Sequence, residues 1–174
     1  MADPILRDVT EADIPAIAGI YAHHVLTGLA SFEETAPDAA EMAARFAALK
    51  ARSMPYICVA AGDRVLGYAY AGPYRPRIAY RHTVEDSIYL APGQEGRGLG
   101  RLLLAELIGR CTGMGLRQMV AVIGDSGNAG SIGLHRALGF REIGTLRSVG
   151  FKFGRWVDSV FMQRALGEGD TTLP

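Results

Sequence analysis

Three glycines stand at alternate positions, Gly96, Gly98 and Gly100, where an apolar run gives way to a helical one in SIYLAPGQEGRGLGRLLLAELIGRC, Ser87 to Cys111. Glycine reaches backbone angles closed to residues with a Cβ, so successive N–H groups can converge on one point. The N-terminus of the following helix adds its positive dipole end there. The product is an anion cradle suited to a pyrophosphate. GRGLG lacks the Lys-Ser/Thr ending of a triphosphate P-loop and the double spacing of a dinucleotide fingerprint, so neither ATP nor NAD is implied. Taken alone, the turn reads equally as a structural strand-to-helix connection. Two adjacent acids, Glu85 and Asp86, open the preceding strand. Strand alternation puts Glu85, Ser87 and Tyr89 on one face and Asp86, Ile88 and Leu90 on the other, so the acids are not equivalent. From spacing alone Glu85 is a general base or a solvated sheet residue.

The chain has 174 residues, 49% apolar, and formal net charge zero. That length fits one compact domain with a full core. Without a basic stripe or a run of like charge there is no footprint for nucleic acid or an anionic membrane, and a small molecule is the expected partner. No apolar segment approaches the ~20 residues that span a bilayer, and MADPILRDVT lacks a basic region followed by an apolar run. A cytoplasmic location is expected. Cys58 and Cys111 have no metal-ligand spacing and read as buried free thiols in a reducing compartment; His23, His24 and His82 offer no metal spacing either.

The elements that must position these residues follow from pattern. A short strand at Ile5–Arg7 precedes Thr10, which with Asp13 caps a helix carrying Ile14, Ile17, Ile20 and Tyr21 and ending near Leu26. After the loop TGLASFEET, Thr35 is expected to cap a second helix with Pro37 in its first turn and Met42, Phe46 and Leu49 on one face. YICVAAGDRVLGYAYAG reads as a hairpin around Gly62-Asp63. Strand VEDSIYL then leads into the glycine-rich turn and a helix stopped by Gly113 and Gly115. A short buried strand MVAVI, a helix near Ser131–Leu138 ended by Gly139, and two strands in TLRSVGFKF and WVDSVFMQ complete the order. Residues 167–174, GEGDTTLP, are expected to be a disordered tail after a domain spanning 1–166.

This order, with NAGSIGLHRALGF following the fifth strand, resembles the GNAT superfamily of acyl-CoA-dependent N-acyltransferases. AYAGPYRPRIAYRHTVEDSIYL, VAVIGDSGNAGSIGLHRALGF and GFKFGRWVDSVFMQR are similar to its phosphinothricin and methionine sulfone (sulfoximine) N-acetyltransferases, over about Ile5 to Arg164. The resemblance implies an α/β (α+β) fold: a mixed, mostly antiparallel sheet of six to seven strands, about four flanking helices, and a splay between the fourth and fifth strands. It implies acetyl-CoA as cosubstrate, no metal, a small amino acid analogue as acceptor and a homodimer, with Trp156 a candidate contact.

What the resemblance implies can be given chemical roles. An α-amino group, with a pKa of roughly 8 or above, is mostly protonated at neutral pH and needs a base; Glu85 matches the family residue with that role, acting directly or through water. The backbone N–H of Leu90 is the expected oxyanion donor. His135 stands where many members carry Tyr, and is expected to protonate the leaving thiolate or polarise the carbonyl, or to be a packed helix residue. The cosubstrate contacts implied are Leu90, Glu95, Gly96, Arg97, Gly98, Leu99, Gly100, Arg101, Asn128 and Ser131. Arg75 and Arg81, whose planar forks suit oxyanions, and Phe32 at the pocket mouth are expected to hold the acceptor with Glu85. The family's turn usually opens with Arg or Gln where this chain has Glu95, and Glu95 is expected to point outward. Cys58 and Cys111 have no adjacent activating group, so direct transfer in a ternary complex is expected. The other readings are a different small amine or a peptide N-terminus as acceptor, and a non-catalytic acyl-CoA-binding protein; retention of Glu85 and His135 speaks against the last.

Overall fold

A computed structural model describes residues 3–174; Met1 and Ala2, which begin the expected domain and the N-terminal stretch, lie outside the described residues. In chain order the elements are β1 (Ile5–Asp8), α1 (Ile14–Thr27), α2 (Ala39–Lys50), β2 (Tyr56–Ala61), β3 (Arg64–Pro73), β4 (Thr83–Leu90), α3 (Leu99–Gly113), β5 (Gln118–Gly124), α4 (Ala129–Ala137), β6 (Arg141–Lys152) and β7 (Arg155–Ala165). The strands form one sheet in the order β1-β2-β3-β4-β5-β7-β6. Every neighbouring pair is antiparallel except β4 and β5. This is the expected mixed α/β (α+β) sheet with four helices.

The local causes are visible. Thr10 N–H and Oγ1 both donate to Asp13 Oδ2, at 2.8 and 2.9 Å, and Arg7 grips both carboxylate oxygens at 2.7 and 2.8 Å. The Arg7 hydrogen bond holds the Asp13 carboxyl down at about 2. The second helix starts later than Thr35: Asp38 is its cap, extended at φ −77°, accepting from Glu41 N–H at 2.8 Å. Pro37 explains the shift, since its ring disfavours helical angles at Ala36 and so blocks a start upstream. Gly62 takes φ +60° in the β2–β3 hairpin. Beyond β7 the tail expected to be disordered lies against Arg117, which donates to Thr172 Oγ1 at 3.1 Å and Leu173 O at 2.9 Å.

Alternation along β2 divides the core. Ile57 and Val59 face α3, with Leu103, Leu104, Leu107, Met119 and Met162. Tyr56 and Cys58 face α1 and α2, with Ile17, Val25, Phe46 and Tyr68. Each such side chain contributes about 1.5–3 kcal/mol by burial, which presses a helical layer on both faces. Cys58 and Cys111 sit in opposite layers, free and buried, and burial pushes their thiols up to about 11 and about 12. No helix among the described residues is long and apolar enough to cross a membrane.

The pairing of β4 with β5 covers only Thr83–Asp86 against Gln118–Ala121. Past that point β4 stays with β3, Ser87–Leu90 against Tyr70–Gly67, while β5 stays with β7, Val122–Gly124 against Phe161–Ser159. The strands part into a V, the expected splay.

Candidate active site

Ladder parity sets what the V offers. Tyr74 N–H donates to Thr83 O at 3.3 Å and Ala91 N–H to Leu66 O at 2.9 Å, so the β3 ladder uses the main-chain groups of odd-numbered β4 residues. Ile88 and Leu90 therefore turn their N–H groups into the gap. The Leu90 carbonyl is taken by His24, whose Nε2–H donates to it at 2.8 Å from the last turns of α1. A two-histidine run gives no hint of that long-range contact.

The glycine-rich turn closes the wide end. Gly96 and Gly98 have φ +72° and +77°, with nothing within 4 Å of where a Cβ would stand. Gly98 is the N-cap of α3 and no side chain caps that helix, so the N–H groups of its first turn are presented outward. Gly100 is close-packed instead: its Cβ would lie 3.2 Å from Leu134 of α4. Leu90, Glu95, Gly96, Gly98, Gly100, Arg101, Asn128 and Ser131 all line one cleft of about 740 Å³. Leu99 is buried beneath the turn, and Arg97 pairs with Gln94 away from the cleft. Glu95, expected to point outward, borders the cleft. Asn128 caps α4, its Oδ1 accepting from Ser131 N–H at 3.1 Å.

The cleft runs down to a smaller cavity of about 60 Å³ at the apex of the V, lined by Asp86, Ser131 and His135 among others. Asp86 and His135 are 6% and 3% exposed, and Nε2 lies 3.0 Å from Oδ2. His135 Nδ1 lies 2.7 Å from Ser131 O. A carbonyl only accepts, so Nδ1 carries a proton; a second proton must then lie between Nε2 and the carboxylate. Burial disfavours a charged imidazole, but Asp86's hydrogen bond and charge and the Ser131 carbonyl outweigh it and leave the His135 pKa above its usual value. Both ring nitrogens are engaged, so His135 clamps α4 on β4 in the manner of the packed helix residue that is one of its two expected roles.

Glu85 faces the other side, half-buried, with Ser87 and Tyr89. Burial and then the charge of Asp86 raise its carboxyl above the usual range, and Arg75 pulls it partly back. Arg75 and Arg81 are exposed in the loop before β4, Arg75 stacked 5.0 Å from the Tyr74 ring. The loop between α1 and α2 covers the open end of β5: a Cβ on Gly124 would fall 2.0 Å from Leu29 O, and the Phe32 ring rests on Gly150. Lys152, only 2% exposed, ties this loop to β6 through Gly28 O at 2.9 Å and Ser31 O at 2.6 Å. A lysine between aromatics in GFKF, on an inward register, was the signal for it.

A V-shaped gap between a parallel strand pair, a backbone anion cradle at its mouth and a half-buried carboxylate on the far face of β4 beside its apex define an acyl-group transferase. Residues 20–140 match the acetyltransferase (GNAT) family, and the chain belongs to it. It is 57% identical to the phosphinothricin N-acetyltransferase of Alcaligenes faecalis, over 97% of this chain and 86% of that one. It is 46% identical to the L-methionine sulfoximine/L-methionine sulfone acetyltransferase of Pseudomonas paraeruginosa, over 91% of this chain and 92% of the relative. The fold matches the crystal structure of a phosphinothricin acetyltransferase from Sinorhizobium meliloti in complex with acetyl-CoA, with TM-score 0.95 and 51% identity over 98% of this chain and 92% of that one.

Proposed function

We propose that the protein moves an acetyl group from acetyl-CoA to the α-amino group of a small amino acid analogue of the phosphinothricin, methionine sulfone or methionine sulfoximine type, directly in a ternary complex. The observation that carries this is the apex of the V, where the cleft from the glycine-rich turn ends within one residue of Glu85 on the opposite face. The relatives' acceptors support the substrate class. Acetyl-CoA supplies the activated acyl group. The cradle of Gly96, Gly98 and Gly100, with Arg101, holds its pyrophosphate, and Asn128 and Ser131 flank its arm. Ile88 N–H, free of the β3 ladder and lining both the cleft and the apex cavity, donates to the oxyanion that develops as the amine attacks, the role expected of Leu90, whose N–H lies two residues nearer the mouth and faces the arm of the cosubstrate. Glu85 removes the amine's proton, and its raised pKa matches that task near neutral pH. Arg75 and Arg81 take the acceptor's carboxylate and the oxygens of its phosphinate, sulfone or sulfoximine group, with Phe32 on its aliphatic part. His135 positions α4 instead of meeting the thiolate. The exposed Trp156 and Phe151 on the β6–β7 hairpin are the contacts of a homodimer, and the buried unpaired thiols fit a cytoplasmic enzyme.

The test is thiol release from acetyl-CoA with methionine sulfone, methionine sulfoximine, phosphinothricin, spermidine and a short peptide, for wild type and Glu85→Gln. Release with the sulfur and phosphorus amino acids, largely lost in the variant, is expected; release only with the peptide or spermidine overturns the substrate class.

A further inference from the structure

The apex cavity shares Ala30, Ile88, Tyr89, Gly124, Asn128 and Ser131 with the large cleft, so the two are continuous. The glycine-rich turn fixes the anionic end of an acyl-CoA at the wide mouth, and the gap narrows toward the last paired residues, Asp86 and Ala121. The acyl end must therefore lie at the apex. Its floor is polar. Asp86 and His135 are both more than nine-tenths buried; Asp86 Oδ2 meets His135 Nε2 at 3.0 Å, while Asp86 Oδ1 is buried with no partner among the described residues.

We propose that the Asp86–His135 pair on the floor of this cavity makes the site selective for acetyl over propionyl and longer acyl groups. The inference rests on the acetyltransferase reading above. A buried carboxylate oxygen demands a hydrogen-bond donor, and a polar cavity of about 60 Å³ is roomy enough for ordered water to supply one. An acetyl methyl is short enough to stop above that water. Each further methylene has to displace it and leave Oδ1 unpaired against hydrocarbon, or push α4 off β4 and break the Asp86–His135–Ser131 chain. Relaxation by rotamer change is closed, because both His135 nitrogens are held. One methylene at such a site discriminates by about ten- to two-hundredfold.

The experiment holds one acceptor fixed and measures kcat/KM for acetyl-, propionyl- and butyryl-CoA, with the dissociation constant of each acyl-CoA and of CoA read by thermal shift without acceptor. In wild type, propionyl-CoA is expected at least about tenfold below acetyl-CoA in kcat/KM and weaker in binding, with CoA binding no weaker than acetyl-CoA. Asp86→Leu combined with His135→Phe removes both polar partners together and is expected to raise the propionyl-to-acetyl ratio about tenfold or more. Asp86→Asn keeps the shape, lets Nδ2 donate to a neutral His135, and is expected to raise the ratio about threefold, which guards against misfolding of the double variant. Equal use of propionyl- and acetyl-CoA by wild type, or an unchanged ratio in a variant that melts cooperatively and binds CoA, overturns the inference. If no acceptor is acetylated, the proposed function fails instead, and the binding series still reads acyl selectivity.

Discussion

Lys152→Met tests whether the loop between α1 and α2 is positioned by a single buried ammonium. Lys152 is 2% exposed and donates to Gly28 O and Ser31 O at 2.9 and 2.6 Å. Hydrogen bonds from a charged group contribute about 1.5–3 kcal/mol each, so two represent about 3–6 kcal/mol. Replacing the ammonium by a thioether of similar length recovers part of its desolvation cost, leaving a net loss of about 2–4 kcal/mol. For a chain of this size that lowers the melting temperature by about 5–15 °C. The functional consequence is more specific. Thr27 to Ala30 form one wall of the donor cleft, and Phe32, on the same loop, packs against Gly150 of β6. Freed carbonyls turn toward water and carry both walls with them, so KM for acetyl-CoA and for the acceptor should both rise, each by roughly tenfold, with kcat at saturation less affected. Initial rates of thiol release over a grid of both substrates, below the variant's melting temperature, give both constants. A lower melting temperature with both KM values unchanged would sink the idea, leaving Lys152 a packing residue only.

Three further outcomes follow from named geometry. Glu85→Gln should lower kcat by about 10²–10⁴ and remove the acid limb of the pH–rate profile, which in wild type lies above the usual carboxylate range because burial and Asp86 raise Glu85. Because the folded pKa is raised, the carboxyl favours folding below its unfolded pKa of about 4.3 and opposes it as pH rises through the folded value, so Glu85→Gln should melt no lower than wild type at pH 8. Gly98→Ala, at φ +77° with open space around the missing Cβ, strains the backbone by about 1–2 kcal/mol, and the turn should relax and weaken acetyl-CoA binding about tenfold by calorimetry, with little change in melting. Glu95→Arg reverses a charge bordering the cleft, and should tighten acetyl-CoA binding by up to about fivefold at low salt and not at 1 M salt, where screening reaches ~3 Å; a salt-independent change would mean a direct contact.

What the sequence disclosed and what it hid divide along contact range. The strand order, the Gly62 hairpin, the Thr10–Asp13 box and the glycine-rich turn are set within a few residues, where backbone freedom and capping decide, and each is found where the pattern puts it. Thr35 misled because its hydroxyl is a competent cap but Pro37 lies downstream of it, and the ring's effect on Ala36 outweighs the cap. The Asp86–His135 pair is hidden from the sequence for a different reason. Alternation correctly sends Asp86 to the face opposite Glu85, yet nothing local says that His135, 49 positions on, arrives there with its other nitrogen already committed to Ser131. The two adjacent acids thus part by face and by chemistry. Glu85 keeps a raised carboxyl with Arg75 as its attracting charge, suited to a proton that comes and goes. Asp86 is tied into a buried pair whose proton is held from both sides. On the proposed mechanism the two have separate tasks: Glu85 takes the proton of the amine, while Asp86, through His135, keeps α4 fixed across the opening so that the apex stays the same size.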